Sequence, residues 1–190
     1  MKREVRFLGI DDSPFTFEDR TVRVVGVVTR GASYVEGILS SAVEVDGSDA
    51  TEAVARLVER TRFRPMLRAI LVNGVTLGGF NLVDLDALWD RLKVPVMGVV
   101  RDEPDLPKSR RALEKHFPDA QARLEVWQRL RPAPVENGRF VVWCSWRGVE
   151  KADVRRILEA TTLRGAIPEP LRLAHLIASG IARGESRGPA

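Results

Sequence analysis

Apolar and polar residues alternate along the first part of the chain with the period of two that half-buried β-strands require. Residues 3–11 alternate and then end in an apolar run, and two runs rich in β-branched and apolar residues follow at 21–29 and 34–45. Short links join the three runs. The pattern therefore predicts three antiparallel strands that form a meander.

After residue 48 the pattern changes to amphipathic helices that alternate with buried strands. Asp49 occupies the position of a helix N-cap, and Glu52 completes a sequence similar to a capping box. Helices are predicted to begin at 49 and to lie near 82–91, 109–117, 120–130, 149–160 and 170–183, and strands at 67–72, 94–100 and 140–145. Buried strands that alternate with helices are typical of parallel strands covered on both faces.

The order of these elements predicts the fold class. Three antiparallel strands followed by parallel strands, in one mixed sheet with helices on both faces, form the α/β arrangement of ribonuclease-H-like folds. In that arrangement the ends of the first and fourth strands lie side by side. A fold does not define a function by itself, but this edge of the sheet is where we expect functional side chains to meet.

Length and composition fit one soluble domain. The chain has 190 residues, so residues 1–187 are predicted to form a single domain and 188–190 a flexible tail. No apolar run approaches the ~18 residues that span a bilayer, and the chain starts with a strand pattern instead of a signal sequence. We therefore expect a cytoplasmic protein without membrane contact. The single cysteine, Cys144, excludes an internal disulfide, and two histidines are too few to favour a Cys/His zinc site.

Charge is distributed unevenly along the chain. The net charge is +4, but residues 1–50 hold 6 basic and 9 acidic side chains, which leaves 24 basic and 17 acidic side chains for the rest. Arginine, which predominates over lysine, offers a planar set of donors that matches phosphate. The composition is consistent with a nucleic-acid partner and equally with a solvated arginine-rich surface.

Acidic and amide side chains gather at the predicted functional edge. Asp11 and Asp12 end the first strand, Asp46 and Asp49 precede the first helix, and Asn73 ends the fourth strand. Adjacent carboxylates repel each other unless a positive charge lies beside them, and Mg²⁺ prefers such oxygen ligands and can activate water against a phosphodiester. Each acid also has a structural alternative, because Asp12 and Asp46 fit turns and Asp49 fits a helix cap.

Two other features carry weaker signals. The glycine-rich run at residues 73–81 lies between a strand and a helix, as phosphate-binding turns do, but it lacks the spacing of the known phosphate-binding motifs. Cys144 lies in an apolar strand between two tryptophans, which favours a small buried apolar side chain over a nucleophile.

Four separated segments, in order, resemble the endonuclease dU family. They are GIDDSPF at 9–15, VDGSDAT at 45–51, NGVTLGGFNLVD at 73–84 and IPEPLR at 167–172. The resemblance extends from about residue 3 to residue 187. That family is similar to endonuclease V, which has a ribonuclease-H-like fold and uses Mg²⁺ to nick strands near deaminated bases. The resemblance thus implies a Mg²⁺-dependent (or Mn²⁺-dependent) nuclease acting on DNA that contains uracil or hypoxanthine, with a role in DNA repair.

The resemblance also implies roles for particular residues. The strand-end motif makes Asp11 the metal-bridging carboxylate, Asp12 a reserve ligand, and Asp49 or Asp46 the acid before the first helix. Asn73 would complete the ligand set or orient water. Contacts with nucleic acid are implied for Ser13, Arg101, Arg172 and His175, the last two within PEPLRLAH at 168–175. Alternatively, Arg172 braces the site and His175 packs one turn after Leu171.

Three departures from the endonuclease V pattern leave other functions open. Asn73 stands where an aspartate is expected, residues 34–37 lack the prolines of the strand-parting wedge, and residues 144–149 lack the late metal-site histidine. A nucleic-acid-binding protein of the same fold with attenuated catalysis is therefore the alternative. A third reading is a small-molecule-binding domain that uses the glycine-rich loop.

Overall fold

The computed structural model describes residues 5–188. Its strands are β1 Arg6–Asp12, β2 Thr21–Arg30, β3 Tyr34–Glu44, β4 Leu67–Asn73, β5 Thr76–Leu77, β6 Asn81–Leu82, β7 Val96–Val100, β8 Ala133–Asn137 and β9 Phe140–Arg147. Its helices are α1 Ala50–Arg60, α2 Leu85–Leu92, α3 Leu106–His116, α4 Ala120–Leu130, α5 Lys151–Thr161 and α6 Glu169–Arg183. The first residues of the predicted first strand, 3 and 4, and most of the predicted tail, 189 and 190, lie outside the described residues.

Seven strands form one mixed sheet in the order β3-β2-β1-β4-β7-β9-β8. The predicted meander is confirmed, because β1 pairs antiparallel with β2 and β2 with β3. β4 runs parallel to β1 with Val72 level with Ile10, so the ends of these strands lie side by side as predicted. β7 is parallel to β4.

The last part of the sheet differs from the prediction of parallel strands. β9 runs antiparallel to β7 and to β8, a strand that the sequence pattern did not indicate. β8 is a short edge strand that contains Pro134 and has only Val135 and Asn137 buried, and a proline within a run argues against a strand. Because the chain turns back at Gly138, β9 runs in the direction opposite to β8 and to β7.

Helices cover both faces of the sheet. Leu8 and Ile10 of β1 pack with α1 and α2 in one core cluster, whereas Phe7 packs on the opposite face with α5 and α6. Since successive side chains of a strand point to opposite faces, Gly9 and Asp11 share the face of Phe7. Among residues 5–188, no helix combines the length and the apolar character needed to cross a membrane.

A candidate active site at the ends of β1 and β4

The start of α6 lies directly against β1 at Gly9. A Cβ atom built on Gly9 would fall within 3.0 Å of three backbone atoms, namely the carbonyl carbon and oxygen of Pro170 and the amide nitrogen of Leu171. Only glycine permits this close approach of helix and strand. One turn further along α6, the same contact brings His175 to Asp11, two residues further along β1.

Asp11 is the centre of this site. Its side chain is buried, with only 3% of the residue exposed. Asp11 Oδ2 lies 3.0 Å from His175 Nδ1 and accepts a hydrogen bond from Asn73 Nδ2 at 3.1 Å. Asp11 Oδ1 accepts a hydrogen bond from the backbone amide of Asp12 at 3.0 Å. The site therefore joins three elements, β1, β4 and α6, at one carboxylate.

Asp12 follows Asp11 at the end of β1, and its carboxylate reaches the β5–β6 hairpin. Its Oδ2 accepts a hydrogen bond from the backbone amide of Gly78, in the β5–β6 hairpin, at 2.8 Å. Burial raises the pKa of the Asp12 carboxyl above its ordinary value. Burial, and then the nearby charge of Asp12, raise the pKa of Asp11 to about 6. These carboxylates thus carry negative charge that the protein compensates only in part.

The glycine-rich run forms the β5–β6 hairpin, which binds the two other predicted carboxylates. Asp46 adopts a left-handed backbone conformation (φ 55°), and its Oδ1 accepts a hydrogen bond from the amide of Phe80 at 2.8 Å. Asp49 Oδ1 accepts one from Asn81 Nδ2 at 2.6 Å and one from the Glu44 amide at 3.1 Å. Both carboxylates therefore stabilise the connection between β3, α1 and the hairpin.

The predicted cap of α1 is correct in position but not in chemistry. Asp49 is the N-cap residue, yet its side chain makes no capping hydrogen bond. The amide of Ala50 donates instead to Asn81 Oδ1 at 2.8 Å. The carboxylate of Asp49 accepts hydrogen bonds from Asn81 and from the Glu44 amide instead.

Two residues that the sequence pattern did not single out organise this region. Asn81 is fully buried and links Asp49, the start of α1 and the end of β3. Arg123 of α4 donates to the carbonyl oxygens of Asp46, Gly47 and Phe80 at 2.7–2.9 Å. A lone asparagine in a hairpin and a lone arginine in a helix give no sequence signal, because their partners are distant in the chain.

The candidate ligands for a divalent cation are Asp11 and Asp12. Within the described part of the chain, no three His, Cys, Asp or Glu side chains are grouped so that they could hold a metal ion. The structure thus does not gather the four predicted carboxylates into one ligand set. Mg²⁺, however, is usually held by one or two carboxylates, with waters and substrate phosphates completing its shell. Two undercompensated carboxylates beside the amide of Asn73 match this oxygen-rich donor set.

The predicted nucleic-acid contacts lie in different environments. Ser13 is buried, and its amide donates to the carbonyl oxygen of Arg23 at 2.8 Å. Arg172 forms an ion pair with the buried Glu169, three residues earlier in α6, at 2.7 Å. Arg101 is exposed directly after β7. His175 contacts Asp11. Of these four, Arg101 and Arg172 have exposed side chains, and that of Arg172 is 42% exposed.

An apolar cavity of about 140 Å³ lies at the ends of β4 and β7, on the sheet face that carries Leu8 and Ile10. Its wall begins at Gly74, the residue after Asn73, and includes Gly98, Trp127 and Trp143. Gly98 has to be a glycine, because a Cβ there would meet the carbonyl oxygen of Gly74. The close approach of β4 and β7 at these two glycines therefore forms part of the cavity wall.

Cys144 has no part in this chemistry. It is fully buried in β9, and burial raises the pKa of its thiol to about 12. A thiol with such a pKa is protonated at neutral pH and is a poor nucleophile. The expectation of a small buried apolar side chain agrees with this environment.

Comparison with solved structures defines the class of fold. Endonuclease V from Ciona intestinalis, solved in complex with a 24mer DNA containing an inosine followed by a ribo-adenosine, superposes with a TM-score of 0.56. The identity is 13%, with 90% of this chain and 82% of that chain covered. The mixed sheet, with an acidic residue at the end of the inner strand β1, is a ribonuclease-H-like fold.

Sequence comparison then shows the family. The model of the family Endonuclease dU matches residues 3–182. The UPF0215 protein of Methanothermobacter thermautotrophicus is 43% identical over 191 residues, which cover 100% of this chain and 94% of that protein. A protein of unknown function from Archaeoglobus fulgidus has a solved structure with a TM-score of 0.84 and 35% identity, covering 94% of this chain and 98% of that one. The chain belongs to the endonuclease dU family.

The Asp11→Asn variant is expected to stabilise the metal-free protein at neutral pH. The raised pKa of Asp11 means that folding favours the protonated carboxyl, so this contribution to stability is complete below about pH 4 and is lost as the pH rises through 6. At pH 7.5 the amide removes a penalty of about 3 kcal/mol, and the melting temperature should rise by about 6–12 °C. Thermal unfolding in EDTA measures this.

The same substitution at an exposed acid is the control. Asp90→Asn on α2 should leave the melting temperature unchanged at both pH 7.5 and pH 4.5, because the Asp90 side chain is 76% exposed. The gain from Asp11→Asn should shrink at pH 4.5. A melting temperature at pH 7.5 equal to or below that of the wild type would contradict the electrostatic account of Asp11.

Proposed function

We propose that the protein is a metal-dependent endonuclease that nicks DNA containing uracil or hypoxanthine. The observation that carries the proposal is the buried carboxylate of Asp11 at the end of β1, held by Asn73 and His175 and next to Asp12. Membership of the endonuclease dU family and the fold shared with endonuclease V support a nuclease. The inosine in the DNA of the Ciona complex supports a deaminated base as the substrate.

The chain's own residues prepare the site for a cation. Asp11 and Asp12 would hold Mg²⁺ or Mn²⁺, which when bound supplies charge stabilisation at the phosphate and an activated water. His175 and Asn73 contact the same oxygen of Asp11 and thereby fix the orientation of its carboxylate. Such supporting contacts typically change metal affinity or activity by about 10–100-fold when removed.

The apolar cavity beside Asn73 offers a place for the base. Enzymes that act at a particular base often take it out of the stack and hold it between aromatic and apolar side chains. Trp127 and Trp143 supply such walls, and Gly74, the residue after Asn73, is part of the lining. We propose that the deaminated base enters here while its phosphate lies at the end of β1, next to Asp12 and Asp11.

The test is a comparison of matched oligonucleotides. Duplexes and single strands that carry one uracil, one hypoxanthine or no modified base are incubated with the protein in Mg²⁺, in Mn²⁺ and in EDTA. The proposal predicts a single metal-dependent nick near the modified base. Equal cleavage of all three sequences would overturn the specificity, and no cleavage under any metal condition would overturn the nuclease.

Asn73 separates the proposed enzyme from its alternative, a nucleic-acid-binding protein with attenuated catalysis. The amide of Asn73 contacts Asp11 where a carboxylate would add a third negative charge. For an active wild type, we expect the Asn73→Asp variant to need about tenfold less Mg²⁺ for half-maximal nicking, with a maximal rate within a few-fold of the wild type.

The matched control is Asn73→Ala, which removes the hydrogen bond without adding charge and should not lower the Mg²⁺ requirement. Magnesium titrations of the nicking rate compare the three proteins. An inactive wild type together with a strongly active Asn73→Asp variant would favour the attenuated protein over the enzyme.

A further inference from the structure

A second concave surface lies at the end of β1 opposite to Asp11. It encloses about 1120 Å³, and its walls include Val5 and Phe7 at the start of β1, the turn between β2 and β3, and α5. Phe7 precedes Asp11 by four residues, which corresponds to about 13 Å along a strand. This surface is therefore separate from the candidate active site.

The surface carries uncompensated positive charge. Arg30, Arg68 and Arg156 line it, together with the two acids Asp153 and Glu159. Asp153 pairs with Arg156 at 3.2 Å, and Glu159 pairs with Arg155, outside the surface, at 2.9 Å. Considering residues 5–188, no carboxylate lies within 4.0 Å of the Arg68 guanidinium.

An adjoining depression of about 540 Å³ extends this surface. The two share Glu159, Thr162 and Leu163, and the depression adds Arg139 and Arg164. Both of these arginines are exposed, and neither forms an ion pair within the part of the chain that the structure describes. We call the two concavities together the distal groove. Its lining contains five arginines and two acids.

The distal groove also presents an aromatic ring. Tyr34, at the start of β3, is 60% exposed, and the guanidinium of Arg30 lies 5.5 Å from its ring centroid. Arg30 is itself held by an ion pair with Glu36. An exposed ring among arginines is the arrangement with which proteins bind single-stranded nucleic acid, because bases stack on the ring while arginines meet the phosphates.

We propose that the distal groove binds a single-stranded segment of nucleic acid, with phosphates at Arg68, Arg139 and Arg164 and a base stacked on Tyr34. A concave surface suits a single strand better than it suits a flat lipid surface. The exposed ring supplies stacking that an acidic protein partner does not need. Because the groove lies at the other end of β1, this binding does not depend on the proposed nuclease activity.

The experiment measures binding without cleavage. A fluorescein-labelled strand of twenty thymidines is titrated with the full chain in EDTA, and fluorescence anisotropy gives the dissociation constant at several KCl concentrations. The Arg68→Glu/Arg164→Glu variant should bind at least about tenfold more weakly, and the slope of log affinity against log salt should fall by about 1.4, or 0.7 for each lost phosphate contact. Its nicking rate on saturating short substrate should be unchanged.

The matched control is Arg60→Glu/Arg62→Glu, which changes the net charge equally at exposed positions outside the groove. An equal loss of affinity in both variants would overturn the proposal, because it would show general charge attraction. Tyr34→Ala, which leaves the charge intact, should weaken binding of the single strand about tenfold and binding of a duplex much less. The proposal would also be overturned if the Arg68→Glu/Arg164→Glu variant lost binding to phosphatidylserine vesicles but kept its binding of the strand. That result would show that the groove binds lipid and not nucleic acid.

Discussion

The Asp11→Ala variant is expected to lose metal-dependent nicking of uracil- or hypoxanthine-containing DNA by about 10³-fold or more. Asp11 is the only carboxylate in the described structure that joins β1 to both Asn73 and His175. Removal of groups that contact the metal ligands costs about 10–100-fold, and removal of a group that stabilises developing charge costs about 100–1000-fold. Removal of Asp11, the proposed metal ligand itself, should lower the rate by more than the about 10–100-fold that removal of a supporting contact costs. Single-turnover assays in Mg²⁺ measure the rate.

Asp90→Ala is the matched control. It removes the same carboxylate from an exposed position on α2, where its ion pair with Lys93 contributes little, so the nicking rate should be unchanged. Thermal unfolding in EDTA shows whether both variants remain folded. Unchanged cleavage by a folded Asp11→Ala variant would remove Asp11 from the mechanism and with it the proposed site.

The Gly9→Ala variant is expected to lose about 3 kcal/mol of the free energy of unfolding. The added methyl group would fall within 3.0 Å of backbone atoms of Pro170 and Leu171, which cannot rotate away as a side chain can. Overpacking of a core typically costs about 1–3 kcal/mol and occasionally more. Either β1 or α6 has to move, so the melting temperature should fall by about 6–12 °C. Urea and thermal unfolding measure both quantities.

The same methyl group at Gly180 provides the control. Gly180 also lies in α6, but its nearest neighbour outside the helix is the Ser186 amide at 3.8 Å. Gly180→Ala should leave stability unchanged or raise it by about 0.5–1 kcal/mol, because alanine favours helix. Equal stability of the two variants would contradict the close packing of α6 on β1.

The parts of the fold that depend on local periodicity could be predicted. The alternating pattern before residue 45 gave the meander, and the change to helical spacing gave α1 and the following α/β units. Because β4 follows the meander as a buried strand, the proximity of Asp11 and Asn73 could also be predicted. The periodicity of apolar residues shows which face of a strand or helix is buried. In these elements the buried side chains recur at regular spacing, so the pattern could be recognised.

The parts that depend on distant contacts could not be predicted. His175 was assigned to nucleic acid, but its approach to Asp11 follows from the contact of α6 with Gly9, across more than 160 residues of chain. The antiparallel direction of β9 depends on the short edge strand β8. The sequence pattern did not indicate β8 because it contains a proline. Asp49 resembles a helix cap in sequence, yet Asn81 takes that role because the hairpin folds back onto α1.

The proposed nuclease depends on a divalent cation bound by Asp11. A crystal soaked in Mn²⁺ and measured at a wavelength where manganese scatters anomalously tests it most directly. We expect an anomalous peak beside the carboxylate of Asp11 in the wild type and none in an equally soaked Asp11→Asn crystal. A wild-type map with no peak at Asp11, or the same peak in both crystals, would contradict it.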